Sequence, residues 1–159
     1  MEKIKLRNVE VYPFRSADDL IDYADEHKGI LVAVNAEKIL NANELTLPII
    51  NGNIAYCDGS GAVLAAHQKG APQAVKIAGC ELWLKIVERF AGKRSFYIIG
   101  GKKAVNDATV ERLRHDYPGI DIVGHRDGYL RTANERRALI DDVAASRPDV
   151  VFVAMGSPA

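Results

Sequence analysis

At about 150 residues per domain, a chain of 159 residues corresponds to one domain. Its 21 lysines and arginines balance 21 aspartates and glutamates, and 48% hydrophobic with 26% charged residues excludes a disordered chain. Zero net charge without a basic cluster speaks against a nucleic-acid binder, whose grip on phosphates needs a basic surplus. Cys57 and Cys80 lie far apart and outside any metal or redox spacing, which fits a reducing cytoplasm. The N-terminus, MEKIKLRNVEVYPF, lacks the apolar stretch of a signal peptide, and no run of ~18 apolar residues would span a membrane, so a soluble chain is expected.

In chain order, Ser16 with Asp19 three residues on makes a capping-box-like start for a helix from Ser16 to Lys28. The apolar run Ile30–Val34 predicts a buried strand, Ile54–Cys57 a second and Ala74–Ala78 a third. From Glu81 to Ala91, Leu82, Trp83, Ile86, Val87 and Phe90 recur at helical spacing and form one core-facing stripe. A strand over Ser95–Ile99 is closed by Gly100-Gly101, and a helix follows from about Lys102 to Asp116, stopped by Pro118-Gly119. Asp121–Val123 is the next strand. Thr132 with Glu135 opens a last helix whose buried face is Leu139, Ile140, Val143 and Ala144. Asp149–Met155 reads as a strand buried on both faces. Short strands alternating with helices predict an α/β fold, Rossmann-like, with a mostly parallel sheet and helices on both faces.

In such folds ligands bind beyond the carboxyl ends of the strands. Those ends carry Asn35-Ala36-Glu37, Asp58-Gly59-Ser60-Gly61, Gly79, Gly100-Gly101-Lys102, Asp127-Gly128-Tyr129 and Gly156-Ser157-Pro158. Small residues there let backbone approach a ligand, and free N–H groups at helix starts suit phosphate, although tight turns alone also call for glycine. Gly100-Gly101-Lys102 has neither P-loop nor dinucleotide spacing. Asp58, after an apolar strand and before Gly-Ser-Gly, is placed to act as a general base or to cap the next helix. His27, His67, His115 and His125 show no metal-ligand spacing and D-x-D is missing, so no metal or other cofactor is expected.

The runs LVAVNAEKIL (31–40), YCDGSGAV (56–63), KIAGCELW (76–83), FYIIGGK (96–102), VGHRDGYL (123–130) and VVFVAMGSP (150–158) come in the order seen in the WecG/TagA/CpsF glycosyltransferases, family 26. The chain resembles this family from about residue 30 onward and is most similar to the N-acetylmannosaminuronic acid transferase branch. The resemblance implies transfer of an N-acetylmannosamine-type sugar from its UDP donor to N-acetylglucosamine on undecaprenyl diphosphate, with inversion, in cell-surface polysaccharide synthesis. It places the base on Asp58, and donor and acceptor contacts on Asn35, Gly100, Gly101, Asp127, Gly128, Tyr129, Gly156 and Ser157. It further implies self-association, peripheral membrane contact and a place at the inner face of the cell membrane. The Thr that the teichoic-acid branch carries two residues before the asparagine is Ala33 here, so no role for it carries over. The family's Lys-Gln-Glu continuation after Pro158 is missing, so residues 1–159 read as a single α/β glycosyltransferase domain truncated at its C-terminus. The competing reading is a non-catalytic UDP-sugar-binding or assembly module of the same fold; an oxidoreductase ranks last because its G-x-G-x-x-G is absent.

Overall fold

The computed structural model describes residues 1–155. The chain divides into two compact units, 1–86 and 87–159.

The first unit opens with a hairpin of β1 (Ile4–Leu6) and β2 (Val9–Val11), paired antiparallel with Leu6 opposite Val9. Arg7 takes φ 60° in its turn, a left-handed conformation of the kind hairpin turns demand. Helix α1 (Ala17–His27) starts where the sequence predicts: Ser16 Oγ accepts the Asp19 N–H at 3.0 Å, and the Asp19 carboxylate accepts the Arg15 N–H. Strands β3 (Leu31–Val34) and β4 (Ile54–Cys57) pair in parallel, with Ala33 opposite Tyr56 and Val34 opposite Cys57. Two short helices between them, α2 (Ala36–Asn41) and α3 (Leu47–Asn51), were not foreseen from the sequence. Helix α4 (Ser60–Gln68) follows β4.

The core of this unit gathers Leu6, Val9, Val11, Val34, Ile50, Ala55, Cys57, Ala62, Ala66 and Ala74. Burying each of its larger aliphatic side chains contributes roughly 1.5–3 kcal/mol, and hairpin, sheet and α4 meet there. Ala74–Ala78 corrects the third predicted strand: it is irregular. Val75 N–H bonds to Phe14 O and Ile77 N–H to Cys57 O, single bonds to different partners that build no ladder.

Helix α5 (Gly79–Phe90) begins in the first unit, and its last turn lies in the second. Leu82, Ile86 and Val87 are buried and Trp83 and Phe90 half-buried, as the stripe predicts.

In the second unit β5 (Ser95–Gly100) is the centre of a parallel sheet, with β6 (Asp121–Arg126) on one side and β7 (Val150–Ala154) on the other. β6 runs three residues beyond its predicted end, because the β5 ladder continues to Ile99 opposite Arg126. Register places Tyr97 beside Gly124 on one face and Ile98 beside His125 on the other. Helix α6 (Lys103–Asp116) covers the His125 face and α7 (Ala133–Ser146) the Tyr97 face, where the Tyr97 hydroxyl donates to Asp142. Parallel strands with helices on both faces make this a Rossmann-like α/β fold.

Two burial expectations are corrected. Helix α7 is capped as predicted, Thr132 Oγ1 accepting the Glu135 N–H, but none of its residues is buried. Leu139 and Val143 are half-buried and Ile140 is 63% exposed: Leu139 borders a cavity of about 260 Å³ that Tyr97, Arg126, Glu135 and Asp142 also line, and no described element covers the side of α7 that carries Ile140. Strand β7 pairs only with β5 among the described strands; Val151 and Val153 stay exposed on one face while Phe152 stacks on Phe96 from the other.

Candidate functional site

The predicted site residues fall into one group in each unit. In the first, parallel pairing brings the ends of β3 and β4 side by side, the Asp58 N–H donating to Val34 O at 2.8 Å. Asn35 therefore sits next to the Asp58-Gly59 turn. A methyl built on Gly59, where φ is 131°, would lie 3.8 Å from Asn35 Cβ. Asn35 caps α2, its Oδ1 accepting the Lys38 N–H at 2.9 Å, so that oxygen is committed to the fold. Lys38, which sequence reasoning passed over, turns its ammonium back to Ala33 O at 2.6 Å.

Asp58 is half-buried at the tip of β4. It does not cap α4, whose N-cap is Gly59 without a side-chain bond. Its Oδ2 instead accepts the N–H of Gly79, the first residue of α5, at 3.2 Å. Alternation along β4 puts Tyr56 on the same face as Asp58 while Ala55 and Cys57 point into the core. Burial first, then the charge of Asp58, pushes the Tyr56 hydroxyl up to about 12, so at neutral pH it is a hydrogen-bond donor. Burial likewise pushes the Cys57 thiol up to about 11; Cys57 and Cys80 are both free thiols.

In the second unit Gly100, Gly101, Asp127, Gly128 and Tyr129 come together. Gly100 and Gly101 take φ of 128° and 72°, conformations that glycine adopts freely. The Gly128 N–H donates to Gly101 O at 2.9 Å, and Asp127 Oδ1 accepts the Tyr129 N–H at 2.9 Å in an Asx turn. Tyr129 is 47% exposed, with the Arg131 guanidinium 5.6 Å from its ring centroid. Helix α6 starts directly after this turn without a side-chain cap, unlike α1, α2 and α7. Among the described residues no side chain claims its first N–H groups, which suit an anion. Of the lysine pair, Lys103 bonds Asp107 at 2.7 Å, and that bond holds the Asp107 carboxyl below the usual carboxylate range. Gly156 and Ser157 lie outside the described residues.

What ties this turn together is Asn106, also missed in the sequence and 3% exposed. Its Nδ2 donates to Gly100 O at 3.0 Å and Arg126 O at 2.9 Å, and its Oδ1 accepts from His125 Nδ1 at 2.9 Å. A mid-helix asparagine gives no local signal of such a role; only a polar residue at a core-facing position hints at it. Asn106→Ala would leave two carbonyls and one ring N–H without their partner. It is expected to lower stability by about 2–4 kcal/mol in urea unfolding and to speed exchange of the Gly128 amide.

Arg126 is a further cation at this turn, its Nη2 donating to Tyr129 O and Glu135 Oε2, both at 3.3 Å. Among the described residues no cluster of three or more His, Cys, Asp or Glu side chains could hold a metal ion, and no helix is long and apolar enough to cross a membrane.

Parallel strands with polar groups and glycine turns at their carboxyl ends define a Rossmann-like α/β chain, a class of fold in which ligands bind beyond those ends. Residues 4–159 match the model of the glycosyl transferase WecG/TagA/CpsF family, and the chain belongs to that family. It is therefore a glycosyltransferase by family, as the six sequence runs imply.

Proposed function

We propose that this chain transfers an N-acetylmannosamine-type sugar, N-acetylmannosamine or N-acetylmannosaminuronic acid, from UDP to N-acetylglucosamine carried on undecaprenyl diphosphate. Asp58 is the base. Its carboxylate takes the proton of the attacking acceptor hydroxyl as the new oxygen–carbon bond forms at the donor's anomeric carbon. The bond from that carbon to the diphosphate oxygen breaks on the opposite side, its electron pair leaving with UDP, so the configuration inverts. The UDP leaving group gains charge that needs stabilising, a task suited to N–H groups at helix starts. Gly100, Gly101, Asp127, Gly128 and Tyr129 hold the donor, and Asn35 borders the acceptor. The reaction runs at the inner face of the cell membrane, and the chain works as a homo-oligomer.

The observation that carries this reading is the uncapped start of α6 behind the Gly100-Gly101 turn, closed by the Gly128 N–H. Its test is calorimetric titration with UDP beside Gly101→Val, followed by transfer from UDP-N-acetylmannosamine to prenyl-diphosphate-linked N-acetylglucosamine. Wild type is expected to bind UDP and Gly101→Val to lose it, because a β-branched residue resists the φ of 72° found here. Absence of both UDP binding and transfer in wild type would sink the proposal and favour an assembly module.

A further inference from the structure

The Tyr56 side chain is 4% exposed, yet its hydroxyl has no hydrogen-bond partner among the described residues. No fully buried side-chain oxygen or nitrogen of those residues lacks a partner, so the hydroxyl itself must reach solvent while the ring stays packed. It does so at a defined place. A methyl built on Gly79 would lie 3.2 Å from Tyr56 Oη and 3.3 Å from Asp58 Oδ2, so the two oxygens converge on the backbone that opens α5. The neighbours on the same face are the smallest available: Ala33, opposite Tyr56 in the ladder, has its Cβ 3.9 Å from that same point.

A buried tyrosine normally finds a partner for its hydroxyl. Here the ring is fixed by packing, and the hydroxyl is held, donor-ready, beside a carboxylate that already has one oxygen committed to the Gly79 N–H. A donor and an acceptor side by side on one strand face match two neighbouring oxygens of a sugar ring. We propose that Tyr56 is a second acceptor-contacting residue of this site, its hydroxyl donating to an oxygen of the acceptor sugar while Asp58 engages the hydroxyl that attacks. This rests on the reading of Asp58 as base. The Tyr56 proton does not move in the reaction, since the phenol stays neutral far above physiological pH.

Tyr56→Phe removes only the hydroxyl and leaves the ring. Binding would be measured by calorimetry with two probes, UDP and a short-prenyl-diphosphate N-acetylglucosamine, alongside thermal unfolding. The expected result is about fivefold to tenfold weaker binding of the prenyl-linked sugar, with UDP affinity and the unfolding midpoint unchanged. Gly79→Ala, whose methyl presses on both oxygens, is expected to weaken the same probe. Acceptor affinity within about twofold of wild type in Tyr56→Phe overturns the inference, and so does a parallel loss of UDP binding and unfolding temperature, which would mark a structural role. If Tyr56→Phe behaves as wild type while Asp58→Asn stops transfer, only the tyrosine inference falls. If wild type does not bind the prenyl-linked sugar, this inference and the proposed acceptor fall together.

Discussion

Asp58→Asn is expected to lower the transfer rate by about 10²–10⁴-fold while leaving UDP affinity and the unfolding midpoint close to wild type. The physical reason is that, among the described residues, the Asp58 side chain makes one hydrogen bond. Its Oδ2 accepts the Gly79 N–H, and an asparagine amide oxygen accepts the same bond, so the start of α5 keeps its partner. What asparagine lacks is a basic oxygen for the acceptor's proton. Single-turnover rates together with UDP titration separate the two effects. A variant that transfers at the wild-type rate would remove Asp58 from the mechanism, and one that unfolds early would make it a structural carboxylate.

Gly100→Ala is expected to have the largest effect on stability, about 3–5 kcal/mol, from two additive causes. Gly100 takes φ 128°, which L-residues rarely adopt. An added methyl would also run into the carbonyl oxygen of Ala154, backbone in the neighbouring strand at the register pair Gly100–Ala154. Backbone cannot swing aside as a side chain can, so relief requires opening the end of the β5–β7 ladder. Denaturant unfolding, with hydrogen exchange of the β5 and β7 amides, reads this directly. Gly101→Ala is the internal control. A methyl there meets nothing nearer than Val105 at 3.8 Å, so only the strain of φ 72° remains and the loss is expected to be about 1 kcal/mol. Equal losses at both positions would mean that the Ala154 contact is relieved without cost.

The two candidate groups differ in how far they could be read from the sequence. Asp58 is visible because an apolar run followed by Asp-Gly-Ser-Gly is a local pattern, and the structure puts it at the tip of β4. Its neighbours are not visible. Tyr56 reads simply as one residue of an apolar strand; alternation puts it on the Asp58 face, but the approach of Gly79 to both depends on a segment 21 residues beyond Asp58 folding back over the strand end. Asn35 shows the opposite case. It stands at a strand end, where ligand contact is a natural expectation, but the residue that claims its oxygen is Lys38, three positions away.

By itself the sequence determined the helix starts at Ser16 and Thr132, the stripe of α5, strands β3, β4 and β5, and the alternation that makes the fold α/β. Caps, turns and periodicity act within a few residues, so they are written locally. Tertiary structure alone decided that residues 74–78 form no strand, that Val151 and Val153 of β7 stay exposed, and that α7 buries none of its residues fully. A strand exists only where a neighbour supplies a ladder, and an apolar residue is buried only where another element arrives to cover it. The same holds for Asn106. Nothing near it in sequence requires an amide, but the ends of β5 and β6 bring it two carbonyls and an imidazole N–H that only such a side chain satisfies together.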